Sequence, residues 1–391
     1  MLPISMTVSQ MVEMTPRYLT IDAGPHDRRH TPLSVPVDWS SGVGKLIPAA
    51  GGRALPCQVF DGAVHFVLDR LGAGERCDLV AEEGARPGGR WVKLNPSTLS
   101  GCVDIRVRGK PFTAYHHENV LYRPYLYPLR GPGGVHMTRT YPMGEDVADE
   151  TSDHPHHRSL WVAFGDVNGV DNWIEEEGCG SQVSRGDPVL EDGPVFGRLE
   201  HDIDWQDGDH RSVLAERRTI TVYNTPDSAR LMDLEVQFKA SHGGVVFGDT
   251  KEGGICSVRV ATSMDADKAG RIENSFGSVG EDETWGVPAH WCDYSGPCAG
   301  RHVGVAIFDH PMNLRHPTPW HVRNYGLLTA NPFGHSYYQS GLLKDGAYRL
   351  EAGNTLTFRY RICLHLGDAT KGGVADRYHD YVNPPKVEVS D

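Results

Sequence analysis

The 391-residue chain has no run of about 18–20 apolar residues, the length a membrane-spanning helix needs, and it has no basic excess. Lys and Arg number 38 against 51 Asp and Glu, a net charge of −13. Such a balance argues against a surface that tracks nucleic-acid phosphates or docks on anionic lipid. The N-terminal stretch MLPISMTVSQMVEM lacks both a basic segment and an apolar core. No secretory signal is therefore expected, and a cytoplasmic location is. The eight cysteines are dispersed without a CxxC pair, which favours reduced thiols and argues against a zinc–thiolate site. HExxH, GxSxG, a P-loop and a GxGxxG that opens a helix are all missing, so a serine hydrolase, NTPase or dinucleotide enzyme has no support. Long amphipathic helices are nearly absent too; the best candidate is ATKGGVADRYHDYV (369–382).

What the chain has in plenty is turn residues. Gly (45) and Pro (26) together make up about 18% of it, against a usual ~12%. Between them recur short runs rich in Val, Ile, Thr, Tyr and Phe, such as RTITVYN (218–224) and LEVQFKA (234–240). Their alternation of apolar and polar side chains is the period of a strand with one buried face. The fold class is all-β. Breakers concentrate in 85–101, which places a small β domain at 1–95 and a larger unit at 96–391. The larger unit carries long connections (115–175 and 280–340) dense in His, Asp, Asn and aromatics, and connections of that length are commonly functional.

The densest cluster of titratable groups is Asp153-His154-Pro155-His156-His157-Arg158. Pro155 cannot sit inside a helix and biases His154 towards extended backbone, so the segment is a loop or a strand entry. In extended chain His154 and His156 share a face while His157 points away. Imidazoles suit proton transfer near neutral pH, and Arg158 is placed to face a developing enolate. Asp153, His154 and His156 are equally the candidate ligands of a divalent metal ion. Around them, Tyr127, His136, Arg139 and Trp161 mix aromatic faces with donors, as a polyhydroxylated ligand requires. Downstream, His321, Arg323, Asn324, Asn331 and His335 form a second group, with Lys251 and Glu252 between the two. The stretch from Gly165 to Trp173 has the composition of a Ca²⁺ loop but not its register.

The segments YPLRGPGGVHMTRTYPMG, DHPHHRSLWVAFGDVNGVDNW, FGDTKEGG, WCDYSG, NLRHPTPWHVRNYGLLTANPFG and RYRICLHLGD resemble the DUF6807 family over roughly 110–382. The label "methane oxygenase PmoA" often attached to that family implies a membrane copper subunit, which a chain without a spanning segment contradicts. The resemblance instead implies a large two-sheet β-sandwich, similar to the galactose mutarotase-like supersandwich, and a setting in sugar catabolism.

These readings converge on an enzyme that uses His-based acid–base chemistry on a sugar or keto-glycoside, by epimerisation or β-elimination. His154, His156, His157, Arg158 and His321 are its catalytic candidates. Two alternatives stand beside it: a metal-dependent glycoside hydrolase or lyase, and a non-catalytic sugar-binding protein. The expected partner is a small carbohydrate, with neither nucleic acid nor membrane, and a homo-oligomer is compatible with the chain.

Overall fold

In the computed structural model, which describes residues 17–39, 42–84, 91–145, 147–338 and 344–390, about half of the chain is strand and about 6% helix. The N-terminal stretch and residues 85–90 of the breaker segment lie outside the described residues. No helix among the described residues is long and apolar enough to cross a membrane.

The first strands, from Arg17–Asp22 to Arg76–Glu83, form a seven-stranded antiparallel near-barrel around Leu19, Ile21, Leu46, Phe66 and Leu79. The seventh strand comes from the other end of the chain, because Lys386–Ser390 pairs with Arg17–Asp22. The preceding helix, Val374–Val382, is fastened to the same sheet. Buried Arg28 donates to Asp380 at 2.8 Å, and the Thr31 hydroxyl donates to that carboxylate at 2.7 Å.

In the remainder, which also holds a two-stranded ribbon of Val245–Phe247 and Tyr348–Leu350, two large antiparallel sheets form a two-sheet sandwich. One has eight strands, in the order Trp320–Arg323, Leu327–Ala330, Gly253–Arg259, Leu160–Phe164, Tyr125–Leu126, Lys110–His116, Cys102–Val107 and Val92–Pro96. It therefore starts at Val92, inside the stretch rich in breakers. The other has nine strands, centred on Phe196–Gln206, Ser212–Tyr223, Ala229–Lys239 and Thr355–Leu366. Alternate residues of both meet in one core: Leu160, Val162, Phe164, Val258 and Leu328 join Ile203, Ile220, Leu234 and Ile362. Each such side chain contributes about 1.5–3 kcal/mol on burial. The period of two then fixes what the other face of the eight-stranded sheet displays. Tyr125, Trp161, Ala163 and Leu327 form a separate cluster there with Trp173.

Candidate functional site

The outer face of the eight-stranded sheet carries one continuous pairing row. Cys102 stands opposite His116, His116 opposite Tyr125, and Tyr125 opposite Trp161. Trp161 then faces Ser257, Ser257 faces Thr329, and Thr329 faces His321. The neighbouring row is Arg259, Leu327 and Arg323. His116 stacks on Tyr125 with centroids 4.8 Å apart, and the Ser257 and Thr329 hydroxyls lie 2.5 Å apart. The indole N–H of Trp161 is buried and has no hydrogen-bond partner among the described residues.

The His-rich segment lies over this face as a tight turn at the entry to Leu160–Phe164. The His157 N–H donates to the His154 carbonyl at 3.0 Å, which puts Pro155 at the position where its fixed φ suits a turn. His154 itself takes φ +43°. The extended geometry expected from Pro155 is therefore corrected, and His157 does not point away from the other two imidazoles. The His154 and His157 rings are nearly parallel at 4.7 Å, and His156 stands edge-on to both at 5.7 and 4.6 Å. Beneath them His157 rests on Trp161 and Trp173 at 5.3 and 5.4 Å.

Two fully buried guanidiniums hold the turn. Arg139 donates to the Asp153 carboxylate and, at 2.8 Å, to the His154 carbonyl. Arg259 donates to Asp153 at 2.8 Å and lies 3.1 Å from His157 Nδ1. The other Asp153 oxygen is 2.9 Å from His154 Nδ1. Burial works against the Asp153 charge, but Arg259, His154 and Arg139 outweigh it and hold the carboxyl below its ordinary value. Burial and the surrounding cations depress the imidazoles, His156 to about 3 and His157 well below its usual range. Both are neutral at pH 7. Asp153 and His154 keep side-chain exposures of 39% and 38%, so the carboxylate–imidazole dyad faces solvent while its supports do not.

The second group meets the first through Tyr325, at the tip of the hairpin between Trp320–Arg323 and Leu327–Ala330. Its ring stacks on His154 at 5.0 Å, with the Arg259 and Arg323 guanidiniums 4.8 and 5.6 Å from its centroid. Burial raises the Tyr325 hydroxyl to about 12. Arg323 pairs with Glu281 at 2.9 Å, and Glu281 also accepts the Asn324 N–H at 2.6 Å. His321 is buried and accepts the Trp285 indole N–H on Nδ1 at 3.0 Å. Burial, then the charges of Lys251 and Arg323, lower it to about 3. Lys251 and Glu252 pair with each other at 2.5 Å, both partly exposed.

Several expected residues serve other ends. Arg158 does not face open space: it grips Glu175 through two nitrogens at 2.5–2.9 Å and lies over the Tyr125 ring. Buried Arg123 stands 3.4 Å from the same carboxylate. Arg158 is thus neutralised in place, and the enolate role expected of it has no geometric support. Asn331 ties two loops together, donating to the Thr250 and Lys251 carbonyls and accepting from Phe333 and Gly334. His335 is buried beside Arg315 and Asp249. Tyr127 borders the face near Thr140 and Gly144. His136 is exposed, and its backbone forms a β-bridge with that of Arg130.

The donor set does not fit a divalent cation. Among the described residues no group of three or more His, Cys, Asp or Glu could hold a metal ion. Asp153, the one carboxylate of the expected trio, already faces two guanidiniums, whose charge opposes a cation there.

Arg259, Tyr325, Trp173, Glu175 and Ser257 were missed as site residues. Ser257 and Arg259 did leave a signal, as alternate polar positions within the otherwise apolar CSVRV. Together the fold and this face define a two-sheet β protein with a carboxylate–imidazole dyad on the outside of one sheet. The chain belongs to DUF6807, described as a family of unknown function, whose model matches residues 102–379. No curated protein matches it.

Proposed function

We propose that this protein is an acid–base enzyme acting on a carbohydrate, specifically a keto sugar or keto-glycoside, by removing a proton next to the carbonyl. The observation that carries the reading is the Asp153–His154 dyad. It pairs an exposed imidazole with a carboxylate that two buried arginines fix in position. A base oriented by a third group is the arrangement proton transfer needs.

His154 uses its second nitrogen to take the carbon-bound proton, and the C–H electron pair moves onto the carbonyl oxygen. Asp153 stabilises the imidazolium, and Arg323, which pairs with Glu281 through Nε and lies over the Tyr325 ring beside His154, faces the new oxyanion with its other nitrogens. Return of a proton to the opposite face of the carbon gives the epimer. Collapse of the enolate with loss of a β-substituent, protonated by the imidazolium, gives the elimination product. Neutral His156 serves as a hydrogen-bond partner for hydroxyls. His157, wedged on Trp161 and Trp173, positions His154 instead of reacting.

Proton NMR of a panel of keto sugars and keto-glycosides in D₂O tests this. Deuterium should enter next to the carbonyl, or a new epimer or alkene should appear, and His154→Ala should abolish the change. Spectra that stay unaltered while the sugars bind would instead favour a sugar-binding protein.

A further inference from the structure

A cavity of about 450 Å³ lies at the seam between the N-terminal sheet and the sandwich. Its charge is the reverse of the chain's. Lys45, Arg53, Arg108, Lys110 and Arg230 line it against only Asp69 and Asp227, in a protein of net charge −13. Asp227 is already engaged, by Arg230 at 2.9 Å, Lys110 at 3.5 Å and the Gly133 N–H at 3.1 Å. Lys45 and Arg53 come from the N-terminal sheet region and Arg108 from the tip of the hairpin joining Cys102–Val107 to Lys110–His116, so both parts of the molecule supply cations. Arg108 is braced from behind, its Nε and Nη2 each donating to Asn224 at 2.9 Å. Burial lowers the Arg108 pKa, the Asp69 carboxylate works against that shift, and the Arg53 charge adds to it. Trp91 and Val195 add an apolar wall.

We propose that this seam binds a small organic phosphate, about the size of a monosaccharide phosphate, across the two parts of the protein. A guanidinium fork matches phosphate oxygens two at a time, which assigns Arg53, with the Lys45 ammonium of the same lining, to the phosphate and Trp91 to the organic body. The volume falls within the ordinary range for small-ligand sites, about 300–1,000 Å³. The site is separate from the dyad: Lys110 and His116 are ends of one strand, roughly 20 Å apart at 3.3 Å per residue.

Calorimetry on the full chain tests the proposal with a hexose 6-phosphate, the same hexose without phosphate, and inorganic phosphate. The hexose phosphate should bind at least 100-fold tighter than the hexose and at least tenfold tighter than inorganic phosphate. The double substitution Lys45→Ala, Arg53→Ala, on the accessible side of the seam, should weaken it at least tenfold. Equal affinity for hexose phosphate and inorganic phosphate overturns the proposal, as does unchanged affinity in the double variant. A measurement that needs no variant is the rate at which phenylglyoxal modifies Arg53, mapped by mass spectrometry. Hexose phosphate should slow it at least fivefold, and an unaltered rate overturns the assignment. Both readouts are of binding, so neither depends on turnover at His154.

Discussion

The Asp153 carboxylate stands 2.9 Å from Nδ1 of His154, the contact on which the proposed proton transfer rests. The carboxylate is in turn fixed by Arg139 and Arg259, both without solvent exposure. Support thus runs outward from buried guanidiniums to a partly exposed carboxylate and imidazole, the order the proposed site requires.

Asp153→Asn removes the charge of that edge and leaves the buried Arg139 and Arg259 without their shared counter-charge, so stability falls as well and turnover is compared per folded molecule. Turnover of any active keto sugar should fall by about 10²-fold or more, mainly in kcat, because the imidazolium loses its partner. Steady-state kinetics checks this. A KM change at constant kcat would place Asp153 in binding instead.

Stability should fall as pH drops below about 6.5. His321 has its folded pKa near 3, against about 6.5 unfolded. Between those values the unfolded chain takes up a proton that the folded one refuses, so the contribution present above pH 6.5 is lost progressively towards pH 3. For a group this deeply buried the loss is on the order of several kcal/mol. His321→Gln, whose amide oxygen can still accept from Trp285, should flatten the Tm-against-pH curve between pH 6 and 4.

Glu175 sits between Arg123 and Arg158, with only 5% of its side chain exposed. Glu175→Ala leaves buried positive charge unpaired and should cost about 3–5 kcal/mol in urea denaturation. Arg158→Lys should lower stability by less and leave kcat per folded molecule unchanged. A large kcat loss at normal stability would show Arg158 touching substrate.

Gly326 has φ +98°, and a Cβ there would come within 2.6 Å of Asp265 Oδ1. Gly326→Ala should cost about 1–3 kcal/mol from backbone strain. It should also draw Tyr325 off His154 and reduce turnover. Tm and kinetics measured together check both effects.

Much of the architecture was legible because it is local. The alternation in RTITVYN and LEVQFKA became two long strands of the nine-stranded sheet, and the DHPHHR segment is the strand entry that Pro155 implied. The mutual placement of its three rings was not legible. One residue with left-handed backbone, His154, turned an expected extended chain into a turn and gathered the imidazoles. Nothing near Arg158 in sequence shows that Glu175 cancels its charge, or that Lys386–Ser390 completes a sheet begun at Arg17.

The sequence by itself determined the β class, the acidic charge, the density of turns and the pool of imidazoles. These follow from composition and from a side-chain period that needs no partner. Only the tertiary structure decided that Tyr125, Trp161, Ser257, Thr329 and His321 share one row, and that Tyr325 closes over His154. Strand register is a long-range property: it is set by which apolar faces pack together, and a shift of one residue would have turned each of these side chains into the core.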